Sequence, residues 1–331
     1  MLMLPAAFIG GRELWQQNER KKWKALFSRT WSVDASVRIP SGATLRDIAV
    51  LSVAVGAPVS ETEFIDLATR QQVSTKLRSG RYRFAAGDNM EKTLADMVVG
   101  NVIAERFTIV EGTTIAQVRK KLAADERLQN DIKNMNDNDI HQALDINQSF
   151  LEGLFLPETY FFEEDDKALN ILRRSHRNMK KTLNSLWAKR NDNNLLSTPE
   201  DALILASIVE KETGVAEERP LIASVFVNRL RRGIPLQADP TVIYGLGESF
   251  NGNLTRKHLR DKSNSYNTYA HRGLPPTPIA LPGKAAIESV LNPPDTAYYY
   301  FVATGDGRHV FSETLRAHNN AVNKYQRRQK R

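Results

Sequence analysis

The chain has 331 residues, 41% of them hydrophobic and 25% charged, which excludes a disordered polypeptide and leaves room for two domains of ordinary size. It has no cysteine, which excludes disulfide frameworks, thiolate metal sites and cysteine nucleophiles while leaving the compartment open. The formal net charge of +8 includes two basic clusters, Arg20, Lys21, Lys22 and Lys24 near the start and Lys324, Arg327, Arg328, Lys330 and Arg331 at the end.

The start, Met1 to Gly10, is apolar but too short to span a bilayer, and it lacks the basic residues that precede a signal core. It reads as the end of an anchor or as an interfacial segment, within an N-terminal stretch covering residues 1–35. A repeated unit follows. Val37 to Ala49, Tyr82 to Leu94 and Phe107 to Val118 each alternate apolar and polar residues up to a glycine, then place Thr or Asn/Asp where a helix needs its cap. These strand–turn–helix units read either as a binding module over residues 36–125 or as a structural spacer.

Residues 120–195 are polar and helical, interrupted by the apolar island Leu151 to Phe162, whose aromatics suit core packing or sugar stacking. Asn191-Asp192-Asn193-Asn194 marks a loop. The next helix begins at Thr198-Pro199-Glu200-Asp201, a cap, a first-turn proline and two acids matched to the dipole, and Gly214 is placed to stop it.

On that helix Leu205, Ile208, Val209 and Glu212 follow one face at helical spacing. A carboxyl on an apolar face, in the last turn of a helix, has its proton held by desolvation and by the dipole together. Such a group is a general acid near neutral pH, as cleavage of a glycosidic bond requires. The alternative is a helix-end acid facing solvent or pairing with Arg219 or Lys211. Glu210, about 200° away around the helix, reads as a structural ion-pair partner.

A second helix, Pro220 to Arg232, carries Leu221, Ile222, Val225, Phe226 and Leu230 on one side and ends at Gly233. Beyond it, Leu236 to Tyr244 and Asn264 to Tyr269 read as irregular polar-aromatic chain, and Gly273 to Gly283 as a proline-stiffened groove wall. Tyr298 to Ala303 reads as a strand beneath the site. The tail, residues 326–331, is a solvated end or a contact for an anionic surface, and no stacking motif favours nucleic acid. There is no zinc-binding His-Glu-x-x-His, phosphate loop or nucleophile elbow, so neither metal nor cofactor is expected.

The run Ala206 to Thr213 resembles the signature of the YceG-like endolytic murein transglycosylases. So do Leu236 to Gly245, Tyr266-Asn267-Thr268-Tyr269, Gly273-Leu274-Pro275-Pro276, and the tail residues Tyr300-Phe301-Val302, His309, Phe311, His318 and Asn319. Leu151 to Tyr160 looks like that family's pre-catalytic motif. The resemblance runs in order from about residue 36 to 325.

It implies an α+β chain: LysM-like βα modules in the N-terminal half (36–125), then a mixed α+β catalytic domain (126–325) with the catalytic Glu on a helix. It implies cleavage of the β-1,4 bond between N-acetylmuramic acid and N-acetylglucosamine inside peptidoglycan strands, without water, leaving 1,6-anhydro ends. Glu212 takes the catalytic position, with Gln237, Tyr266, Asn267 and Thr268 as substrate-binding residues. The resemblance also implies a single-pass inner-membrane protein, its catalytic domain periplasmic, working beside peptidoglycan synthases such as penicillin-binding proteins. The anchor would lie upstream, with residues 1–10 providing at most its end. Two rivals remain: a muramidase in which Asp239 or Glu158 joins Glu212 to activate water, and a non-catalytic wall-binding scaffold.

Overall fold

The computed structural model describes residues 6–164, 166–191 and 195–327. Met1 to Pro5, Asp192 to Asn194 of the expected loop, and Arg328 to Arg331 of the basic tail lie outside the described residues. The chain is mixed α and β, with three two-stranded sheets among the described residues. It divides into two compact units, Met1–Glu105 with Phe161–Asp165, and Arg106–Tyr160 with Asp166–Arg331.

The first unit holds α1 (Ala6–Phe27), β1 (Ala35–Ile39), α2 (Leu45–Ala54), α3 (Glu61–Arg70), β2 (Gly80–Phe84) and α4 (Met90–Val99). The first two repeats therefore form as read, strand then helix. Their strands pair antiparallel, Val37 opposite Tyr82 and Ala35 opposite Phe84. Alternation buries Val37, Ile39, Tyr82 and Phe84 on one face, because successive side chains in a strand point to opposite sides. Trp31 closes that core: its ring stacks on Phe84 at 4.9 Å and its indole N–H donates to Thr93 at 2.9 Å. The helix starts carry the expected caps, Thr44 reciprocally with Asp47 and Asn89 on the Lys92 amide. Each cap is worth about 1 kcal/mol. No helix among the described residues is long and apolar enough to cross a membrane.

The third repeat, β3 (Glu105–Thr108) and α5 (Ile115–Ala123), leads into the second unit, with Thr114 capping α5. Then follow α6 (Asp137–Leu144), β4 (Thr159–Phe162), which pairs with β3, and α7 (Ala168–Trp187). The centre of this unit is α8 (Pro199–Glu212), packed against α9 (Arg219–Arg231) and α12 (Lys284–Leu291). Every residue from Ala202 to Val209 is buried. The expected apolar stripe is thus one side of a helix enclosed all round for two turns, and Glu212 lies just beyond that run, half-buried.

One segment read as irregular, Leu236 to Tyr244, is partly helical, and a short helix lies between it and Asn264. α10 (Asp239–Leu246) begins at Asp239-Pro240, where proline occupies the first turn and the Thr241 hydroxyl donates to the Ala238 carbonyl at 2.7 Å. The first-turn proline pre-sets the helical φ, a start signal that the aromatic composition of the stretch masked. α11 (Arg256–Arg260) is short and starts at a Thr255 cap.

The proline segment ending at Gly283 runs without regular structure and binds the centre of the unit. Ile279 N–H donates to the Ser207 hydroxyl at 2.9 Å, and Leu281 N–H to the Thr113 carbonyl at 2.8 Å. β5 (Tyr300–Ala303) appears where a strand was expected and forms an antiparallel hairpin with β6 (His309–Ser312), Phe301 opposite Phe311. His309 Nδ1 lies 2.8 Å from Glu218, tying the hairpin to the start of α9, and α13 (Leu315–Val322) runs into a π-helical turn, Asn323–Arg327, that ends the described chain.

Candidate active site

α8 sets the geometry. Its start is fixed by a reciprocal cap, the Asp201 amide donating to Thr198 Oγ1 and the Thr198 amide to the Asp201 carboxylate. Its end is made by Thr213, which turns extended (φ −146°) and accepts from the Val215 amide at 3.0 Å. Gly214, expected to stop the helix, has no left-handed φ; the stop comes one residue earlier.

The three charged residues of the last turn have different surroundings. Lys211 Nζ donates to the Gly112 carbonyl at 3.1 Å. Glu210 is buried against Arg219, 3.5 Å away, and accepts from the Gly283 amide at 2.8 Å, the structural pairing read for it in the sequence. Glu212 has no hydrogen bond or ion pair to any described residue. Burial pushes its carboxyl up to about 8; the charge of Asp239 pushes the same way, and Arg229 opposes both. The shift has the direction and leading cause expected from the apolar face.

Arg229 comes from α9 and is buried. Its Nε donates to the Tyr299 carbonyl at 2.7 Å and its Nη1 to the Leu236 carbonyl at 2.8 Å, with Gln237 Oε1 at 3.3 Å. Its guanidinium lies 5.2 Å from the centre of the Tyr300 ring. One cation thus fastens the hairpin and the chain before α10 while placing positive charge near Glu212.

Gln237 is exposed and has φ +55°, a left-handed conformation that a non-glycine residue adopts at some cost. Its backbone N–H donates to the Thr268 carbonyl at 3.1 Å. Asp239, two residues on, accepts from the Tyr269 hydroxyl at 2.6 Å.

The other expected binding residues divide. Tyr266 is partly exposed, bonded through its hydroxyl to Thr277 at 2.8 Å. Asn267 is fully buried, and its amide N–H group donates to the carbonyls of His258, Leu259 and Asp261 while its oxygen accepts from the Tyr269 amide. Thr268 is 2% exposed, its hydroxyl held by the Ala238 amide and Thr241. Asn267 and Thr268 therefore have their polar atoms engaged inside the chain and fix the segments that carry Gln237, Tyr266 and Tyr269. Glu158, named with Asp239 as a rival second acid, is exposed and accepts from Asn178.

The sequence did not single out Arg229 or Glu152. Both are charged residues inside apolar runs, Val227-Asn228-Arg229-Leu230 and Leu151-Glu152-Gly153-Leu154, the same signal that picked out Glu212. Among the described residues no three His, Asp or Glu side chains gather as metal ligands would.

The chain matches the model of the YceG-like family over residues 37–324. It is 29% identical to a Bacillus subtilis protein named endolytic murein transglycosylase, over 98% of this chain and 91% of that one. It is 27% identical to a protein of the same name from Streptococcus pneumoniae, over 87% of this chain and 57% of the longer relative. The crystal structure of a yceG-like protein from Listeria monocytogenes superposes with a TM-score of 0.56 at 29% identity, covering 87% of this chain and 99% of that one.

Proposed function

We propose that this chain, which belongs to the YceG-like family, is a lyase of the lytic transglycosylase class that cuts peptidoglycan glycan strands internally, with Glu212 as its acid and base. The observation that carries the proposal is the Glu212 carboxyl, at the end of a buried helix and without a partner among the described residues, which burial pushes up to about 8. Its relatives' shared name gives the substrate class.

Glu212 donates its proton to the oxygen of the β-1,4 bond between N-acetylmuramic acid and N-acetylglucosamine, and the bond from that oxygen to the anomeric carbon breaks. The 2-acetamido group carries the developing positive charge, so no carboxylate nucleophile is needed. Glu212, now ionised, takes the proton of the C6 hydroxyl as that oxygen bonds the anomeric carbon. The acid is restored, a 1,6-anhydro end forms, and no water enters. Gln237 and Tyr266 orient the sugar, while Asn267 and Thr268 hold them from behind. The first unit, with its two βα repeats, serves as the LysM-like wall-binding part, and the enzyme works at the outer face of the inner membrane beside the synthases.

The charge of Asp239 acting on Glu212 favours one alternative, a muramidase with two carboxylates and an attacking water. Product chemistry separates the two. Mass spectrometry of strands digested by the wild-type chain should find anhydro-muramic ends; reducing ends would establish the hydrolase instead. Binding without cleavage would establish a scaffold.

A further inference from the structure

Three segments far apart in the sequence, around Ile115, Glu152 and Tyr244, meet at one buried acid of the second unit. Glu152 is 5% exposed. One of its carboxyl oxygens accepts from the Ile115 amide at 3.0 Å, the other from the Tyr244 hydroxyl at 3.3 Å. The Tyr244 ring meets Tyr266 at 62°, centres 4.9 Å apart, and the Tyr266 hydroxyl is bonded to Thr277. Both tyrosines are partly exposed.

Helix capping accounts for only one of its two oxygens. The reciprocal cap of α5, Thr114 with Gln117, leaves the Ile115 amide to Glu152 and does not involve the oxygen that faces Tyr244. An ion pair does not account for the other, since Glu152 has no cationic partner among the described residues, and burying a carboxyl without one is costly. Burial pushes it up to about 7, against the amides of Ile115 and Gly153 and the Tyr244 hydroxyl. The backbone beside it is fixed as well: Gly153 has φ +79°, and a Cβ there would collide with Pro278. The fold holds this carboxyl in one place, and what it holds in turn is Tyr244.

We propose that Glu152 is a positioning residue: it fixes the Tyr244 hydroxyl, and through the Tyr244 ring it fixes Tyr266, so that the two tyrosines make a rigid aromatic wall for one pyranose ring of the strand. The proposal rests on the glycan-cleaving reading above. A tyrosine ring offers an apolar face to the C–H face of a sugar while its hydroxyl stays bonded, and a wall fixed in advance costs less entropy on binding.

The test is a double-mutant cycle in the full chain on purified glycan strands, reading KM, kcat and melting temperature. Glu152→Gln keeps the acceptor for the Ile115 amide but turns a donor toward Tyr244; Tyr244→Phe removes only the hydroxyl. Each should lower kcat/KM about tenfold, mainly through KM, with melting nearly unchanged, and the double variant should be no worse than either single one. Losses that multiply, or wild-type KM in folded Tyr244→Phe, overturn the proposal, and that variant decides if Glu152→Gln fails to fold. A wild-type chain that does not cleave would instead remove the reading beneath it.

Discussion

Glu210 and Glu212 lie two positions apart on α8 and meet opposite surroundings: Glu210 is held by Arg219 at 3.5 Å and by the Gly283 amide at 2.8 Å, whereas Glu212 has no partner among the described residues. A turn of about 200° separates a carboxylate used to fasten the chain from a carboxyl left available for chemistry.

The raised pKa of Glu212 makes a statement about stability. The group ionises near 8 in the folded chain and near 4.5 when unfolded, so its contribution is fully present below about 4.5 and is lost as pH rises through 8. Wild type should therefore lose on the order of 3 kcal/mol between pH 5 and pH 9 that Glu212→Gln does not lose. Urea melts of both proteins across that range measure the difference, and parallel curves would count against a desolvated acid. Turnover should fall over the same upper limb, because the acid form donates the first proton.

Asp239 separates lyase from hydrolase. If it acts only through its charge, Asp239→Asn lowers the pKa of Glu212 and moves the upper limb to lower pH. The loss at neutral pH would then be only about twofold for a pKa lowered by one unit from about 8. If Asp239 activates water, the same variant should lose about a thousandfold at every pH. A pH–rate profile of the variant distinguishes them.

Asn267 should behave as a structural residue. Asn267→Ala leaves three carbonyls without their donor and should destabilise the chain by roughly 2–3 kcal/mol. Thermal unfolding checks it. Unchanged melting with a raised KM would return Asn267 to direct contact with sugar.

The legible parts of this protein were those written in local pattern. The strand alternation at Val37-Arg38-Ile39 and Tyr82-Arg83-Phe84, and the caps at Thr44, Asn89, Thr114 and Thr198, each follow from neighbours within a few residues. Glu212 was legible because an acid broke a helical apolar face. What local pattern could not give was the circumferential burial of α8, which depends on α9 and α12 arriving from later in the chain. Nor could it give the inward placement of Asn267, whose partners at His258 to Asp261 lie in a segment with no periodic signal of its own. α10 was missed because Tyr244 and its polar neighbours obscured a proline-marked helix start.

The most direct measurement is glycan-strand turnover by Glu212→Gln beside wild type, with products identified by mass spectrometry and folding followed by circular dichroism. Wild type should release anhydro-ended fragments, and a fully folded Glu212→Gln should release about a thousandfold less. Cleavage by the folded variant at a rate near wild type would contradict the assignment of the acid and base to Glu212.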